Sequence, residues 1–274
     1  MKAYIIADIE GVAGVEGFDI YGDRYPGEVA KKKRIVELWC AELNAAIDGA
    51  LAAGAKEILV LDNHGSGDSL NAELLHPPAQ LIHGLKRPTW LPLLDESVDV
   101  LLFVGQHAMA GTVNGHLCHT YSRKRLARVR LNGQDIGEIG IALGIAGTYG
   151  IPAVFISGDD KAVEEAKELV EGIESAVVKQ GLSLHACLSL SCQEAQERIR
   201  EGVAKGLARR GEYEPVLPDE TMELVVNYRH VDFWRAPLRR FRHPLSGLKW
   251  HGLNGLKLVG NNLPALWDRF IGLA

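Results

Sequence analysis

Asp8 and Glu10 stand two residues apart at the end of an apolar run, Ala3–Ile9. On a strand both carboxylates project to one face, roughly 6.5–7 Å apart along the chain. Two acids so placed repel each other unless a cation lies between them. His64 comes directly after the apolar run Glu57–Asn63, and His107 follows Val98–Val104 at Gly105-Gln106. Glu138 opens another apolar stretch just past an Asn132-Gly133 turn. Each residue alone has a plain structural reading. Acids beside glycine are common turn chemistry, a lone histidine at a strand end is commonly a structural residue, and a glutamate in a helix's first turn complements the helix dipole. Their coincidence at the ends of separate apolar runs points instead to a metal site. Oxygen and nitrogen donors without thiolates suit zinc, with manganese or iron as lesser options.

Such donors meet only if the runs are strands of one sheet whose carboxyl ends share a crevice. The patterning supports that arrangement. Glu28–Ala53 alternates charged and apolar residues at helical spacing and stops at Gly54, so residues 1–63 read as a β-α-β unit with parallel strands. Further strands are expected at Ala79–His83 and Val98–Val104, and a hairpin at Arg128–Asn132 with Asp135–Ile136. Next come a helix over Glu138–Thr148, a strand over Ala153–Ser157 and an amphipathic helix over Asp160–Gly172. Short strands at Ser175–Lys179 and Ala186–Leu190 and a helix over Gln193–Arg209 complete this part. The fold class is therefore α/β, a mostly parallel sheet flanked by helices over residues 1–211. Residues 212–274, with a strand at Met222–Tyr228, form a smaller α+β subdomain for substrate or subunit contacts. The loop Gly111–Tyr121 brings His116 and His119 back toward the same crevice.

Composition narrows the function classes. With 274 residues, 47% of them hydrophobic, the chain can bury a large core. A formal net charge of -5 gives no basic field to hold nucleic acid or an anionic membrane, so neither is expected as a partner. The basic run Arg235–Arg242 reads as a solvated or subunit-contact face. Cys40, Cys118, Cys187 and Cys192 show no C-x-x-C spacing, which suits a reducing, cytoplasmic location. Residues 1–10 read as a strand rather than a signal peptide. The most apolar window, Ile139–Ser157, contains glycines, Tyr149 and Pro152, and reads as a helix followed by a strand rather than a membrane span.

Six motifs in order carry a resemblance: Asp8-Ile9-Glu10-Gly11, Asp62-Asn63-His64-Gly65, Gly105 to Thr112, Cys118-His119, Gly133 to Gly140, and Ser157-Gly158-Asp159-Asp160. Together they resemble the DppA family of zinc-dependent D-aminopeptidases, over residues 1 to about 180, and Ala176–Gln180 echoes a further family segment. The resemblance implies two zinc ions per subunit, with Asp8 bridging them. It implies that Glu10 and His64 complete one site, that His107 and Glu138 complete the other, and that His119 is the catalytic residue that does not bind metal. It also implies removal of an N-terminal D-amino acid such as D-alanine from short peptides, and a homo-oligomer, typically a decameric ring. Met109 stands where at least one family member has arginine. Two other readings use the same residues: a two-metal phosphoesterase, since such donors also serve in-line displacement, and a non-catalytic peptide- or metal-binding oligomer.

Overall fold

In the computed structural model, residues 1–18, 26–229, 249–251 and 254–273 are described. The apolar runs become strands β1 (Lys2–Ala7), β2 (Glu57–Asp62), β3 (Gln80–Ile82), β4 (Val100–Gln106), β7 (Ala153–Asp159), β8 (Glu174–Ser183) and β9 (Ala186–Ser189). They form one seven-stranded sheet in the order β3-β2-β1-β4-β7-β8-β9. All its pairings are parallel except the β8–β9 hairpin. β1, β4 and β7 are almost wholly buried, as strands covered on both faces must be, which is why they read as continuous apolar runs.

Four helices follow the expected periodicities: α1 (Pro26–Ala52), α2 (Glu138–Gly147), α3 (Asp160–Leu169) and α4 (Cys192–Ala208). α1 begins at Pro26, a residue suited to a helix's first turn, and ends before Gly54, whose φ of +87° makes the turn into β2. It packs along α4, and α4 and α3 both pack on β7 and β8. α3 stops three residues earlier than periodicity suggests, because Val170 is extended and Gly172 turns with φ +70°.

Between β4 and α2 the chain makes β5 (Leu126–Leu131) and β6 (Gln134–Asp135), joined through Asn132 and Gly133 at φ +50° and +82°. Positive φ at both central residues is what a two-residue hairpin turn requires. β5 pairs antiparallel with β10 (Met222–Tyr228), which pairs with β12 (Gly255–Gly260), which pairs with β11 (Lys249–His251). This second sheet, in the order β11-β12-β10-β5-β6, thus draws strands from both sides of residue 211. Helix α5 (Leu263–Leu273) packs on β12 and α2 and buries Trp267 and Phe270. The basic run Arg235–Arg242 lies outside the described residues. Among the described residues no helix is long and apolar enough to cross a membrane.

From β1 the main sheet grows one way through β2 and β3, and the other way through β4, β7, β8 and β9. The switch point of the topology is therefore the gap between the carboxyl ends of β1 and β4, where open α/β sheets bind their ligands.

Candidate metal centre

Asp8 and Glu10 leave the end of β1, and His107 leaves the end of β4, so both chains carry donors to that gap. Asp8 N–H still donates to the Val104 carbonyl at 2.9 Å, and Gly11 N–H to the Gly105 carbonyl at 2.8 Å. The two backbones approach closely. A Cβ on Gly105, whose φ is +76°, would lie 2.1 Å from the Asp8 carbonyl, and one on Gly11 would lie 2.0 Å from the Gln106 carbonyl. The glycines in these two motifs thus let one ligand loop lie against the other. His64 is presented by a turn that Asp62 shapes by accepting the Ser69 and Leu70 N–H groups at 2.7 and 2.8 Å. Glu138 opens α2. Asp159 is spent on structure: it caps α3 through Ala162 N–H and holds His116 N–H at 2.9 Å.

The five candidate donors come together. His64 Nδ1 lies 3.3 Å from Asp8 Oδ1 and 3.1 Å from Glu10 Oε2. His107 Nε2 lies 3.5 Å from Asp8 Oδ2 and 3.5 Å from Glu138 Oε1. Asp8 thus faces both ways, one oxygen toward each imidazole. His107 Nδ1 donates to the Ala108 carbonyl at 2.9 Å, which leaves Nε2 to face the carboxylates. His119 stacks on His107 with ring centroids 4.0 Å apart, and its Nδ1 donates to the Leu117 carbonyl at 2.9 Å. A ring nitrogen of His119 lies within 4.8 Å of donor atoms of His107 and Glu138. His116 is wholly buried behind this loop, and no donor group among the described residues includes it.

Asp8, Glu10 and Glu138 are all buried, and among the described residues none pairs with a lysine or arginine side chain. Buried charges need partners. Among the side chains present, protons on the imidazoles serve. Burial opposes ionisation of Asp8, yet the hydrogen bonds from His107 and His64 hold its carboxyl well below the ordinary carboxylate range. Burial likewise works against charge on His64, but the Glu10 carboxylate and the hydrogen bonds to Asp8 and Glu10 push it well above the ordinary range. His107 is pushed up in the same way by Asp8 and Glu138. His119 goes the other way: burial and the neighbouring His107 charge lower it. A buried oxygen and nitrogen donor set that must borrow protons to balance its charge fits a divalent cation of zinc's kind.

Three groups around the site escape a reading of the sequence. Lys179 is fully buried in β8, and its Nζ donates to the Glu10 and Val15 carbonyls, both at 2.7 Å. Glu42 of α1 accepts the Ala13 N–H at 2.8 Å, so the two residues grip the Glu10–Val15 loop from opposite partners. Glu165 of α3 accepts the Met109 N–H at 2.8 Å and braces the segment after His107. Burial raises Glu42 and Glu165 to about 7 and lowers Lys179 to about 8. A lysine inside an alternating strand ordinarily points to solvent, so Lys179 carries no signal from the pattern alone, although it stands in the Ala176–Gln180 segment that echoes the family. Glu42 does carry one, since Leu38, Trp39, Leu43 and Ala46 around it are the apolar stripe of α1.

The cluster floors a cavity of about 580 Å³ whose walls include Arg87, Trp90, Tyr121, Arg125 and Asp268. Tyr121 ties wall to floor, its N–H donating to Glu138 Oε1 at 2.7 Å.

Residues 1–235 match the model of peptidase family M55, the D-aminopeptidases. The D-aminopeptidase of Bacillus subtilis (strain 168) is 32% identical over 232 residues, covering 83% of this chain and 81% of that protein. A solved structure from Bacillus subtilis, the Zn-dependent D-aminopeptidase DppA, described as a self-compartmentalizing protease, superposes with a TM-score of 0.88 at 27% identity, over 99% of this chain and 96% of that one. The likeness therefore runs well past residue 180, where the sequence motifs end, and takes in the second sheet. A family match over most of the chain, on a fold that gathers carboxylates and imidazoles at its switch point, leads to one conclusion: this protein belongs to the D-aminopeptidase family.

Proposed function

We propose that the chain releases the N-terminal D-amino acid, such as D-alanine, from short peptides at a two-zinc centre held by Asp8, Glu10, His64, His107 and Glu138. The observation that carries this reading is Asp8, whose two oxygens face two separate imidazole–carboxylate pairs. Glu10 and His64 would hold one ion with Asp8, and His107 and Glu138 the other. Bound there, the zinc pair would supply Lewis acidity toward the scissile carbonyl and a water whose pKa is lowered to about 7. The remaining work falls to the chain. His119 is kept neutral by burial, and the Leu117 carbonyl fixes its Nδ1 proton, so Nε2 is a base. In our assignment Nε2 takes a proton from the attacking water and passes it to the leaving amine. Lys179 and Glu42 hold the Glu10 loop still, and the buried floor keeps bulk water away from the donors.

The relative DppA, described as self-compartmentalizing, supports a homo-oligomer in which the sites face an enclosed space, and we assign this chain a decameric ring. Ten copies of a 29.9 kDa chain would sediment as a particle of roughly 300 kDa. The activity is tested by digesting D-Ala-D-Ala and L-Ala-L-Ala in parallel with zinc-loaded and chelated protein. The D-peptide alone should be cleaved, and only with zinc. Cleavage of the L-peptide at a similar rate would sink the stereochemical assignment.

A further inference from the structure

Arg87 stands half-buried in the cavity wall, and among the described residues no carboxylate side chain pairs with it. Its Nη1 donates to the Asp62 carbonyl, at the root of the turn that presents His64. That turn is shaped around the guanidinium. A Cβ on Gly67, at φ +72°, would lie 2.9 Å from Arg87 Nη1 and 3.0 Å from the Asp62 carbonyl. One of the five guanidinium donors is thereby used as an anchor, and the planar fork is left with donors for a ligand. A half-buried guanidinium with spare donors is suited to be completed by an anion.

The position of this cation relative to the candidate metal centre names the anion. Arg125 and Tyr121 line the same cavity as Arg87. The Tyr121 N–H donates to Glu138 Oε1, so the wall of this cavity is joined to the carboxylate–imidazole floor. Two or three extended residues span about 7–10 Å. A peptide of that length with its amino end on the floor extends into the cavity that Arg87 and Arg125 line.

Building on the peptidase reading above, we propose that Arg87, helped by Arg125 of the same cavity, binds the free terminal carboxylate of the substrate and so selects di- and tripeptide acids over amides and longer chains. A fork-to-carboxylate contact is short, charged and geometrically specific. It also fixes the register of the peptide, holding the first peptide bond over the donors.

The test compares D-Ala-D-Ala with its C-terminal amide on zinc-loaded protein. The acid should be favoured roughly 10- to 100-fold in kcat/KM, mainly through KM. Arg87→Gln should shrink the acid-to-amide ratio to within about threefold, and Arg87→Lys should restore part of it. Arg125→Gln should lower the ratio without disturbing the anchor on Asp62, which guards against misfolding of the Arg87 variants. Equal rates for acid and amide in the wild type overturn the proposal, as does an unchanged ratio in a natively melting Arg87→Gln protein. Absence of product from either peptide would remove the peptidase reading alone. Calorimetric binding of the same pair to the zinc-loaded protein then decides the carboxylate site, which stands on a preference for the acid and falls without one.

Discussion

Asp8 and His119 touch the same small space but are asked to do different things, and substitution separates them. Asp8 faces both imidazoles, so Asp8→Ala should abolish zinc binding and turnover together. His119 is held by the Leu117 carbonyl and by stacking on His107, so His119→Ala should keep zinc and lose on the order of 10²- to 10⁴-fold in kcat. Elemental analysis beside kinetics checks both; full activity in either variant would refute its role. Glu42 offers a test by pH. Burial raises its carboxyl from 4.5 to about 7, so the folded chain favours the protonated form. The stabilisation this gives is complete below about pH 4.5 and is lost as pH rises through about 7. Glu42→Gln cannot ionise and should unfold in urea like the wild type at pH 4.5, yet be more stable by up to roughly 3 kcal/mol at pH 8. A difference that stays flat with pH would show that burial does not control this group. The candidate donors are legible in the chain because each is a polar residue at the end of an apolar run. Lys179 and Glu165 are not, because their partners are backbone groups on loops far away in sequence.

At the scale of elements, the closeness of β1 to β4 decides whether the donors meet. Gly105→Ala would place a methyl 2.1 Å from the Asp8 carbonyl at a φ of +76°, forcing the ends of the two strands apart. Gly54→Ala at the end of α1 meets only open space, with a similar φ of +87°. The second variant should lose about 1–2 kcal/mol, the ordinary left-handed penalty. The first should lose clearly more and also weaken zinc binding, and urea titrations with a zinc competition assay would read both. Similar losses in the two would mean that the close approach is not what positions the site. The order of strands and helices in the main sheet is readable from periodicity, since a buried parallel strand is an apolar run and a covering helix repeats at 3.6. The second sheet is not readable in this way. Val129 and Val226 are partners across β5 and β10 although nearly a hundred residues separate them, and nothing local in either strand names the other.

Across the whole molecule, the switch point supplies the floor of the cavity and more distant chain supplies its walls. Trp267 of α5 packs edge-on against Trp90 and Tyr121, at 5.4 and 5.9 Å, so the last helix shapes a site whose donors all precede residue 139. The sequence gives no sign of this, because the contact depends on how α5 lies on α2 and β12. The charge balance of the floor is also a property of the assembled molecule: among the described residues, three buried carboxylates from two parts of the chain pair with imidazoles and with no lysine or arginine side chain. A calorimetric zinc titration of chelator-stripped protein examines that balance directly. Two zinc ions should bind per chain with release of protons from His64 and His107, and neither should bind tightly in Asp8→Ala. A wild-type protein that takes up no zinc, or an Asp8→Ala protein that still takes up two ions with native affinity, would contradict a shared two-metal centre at the end of β1.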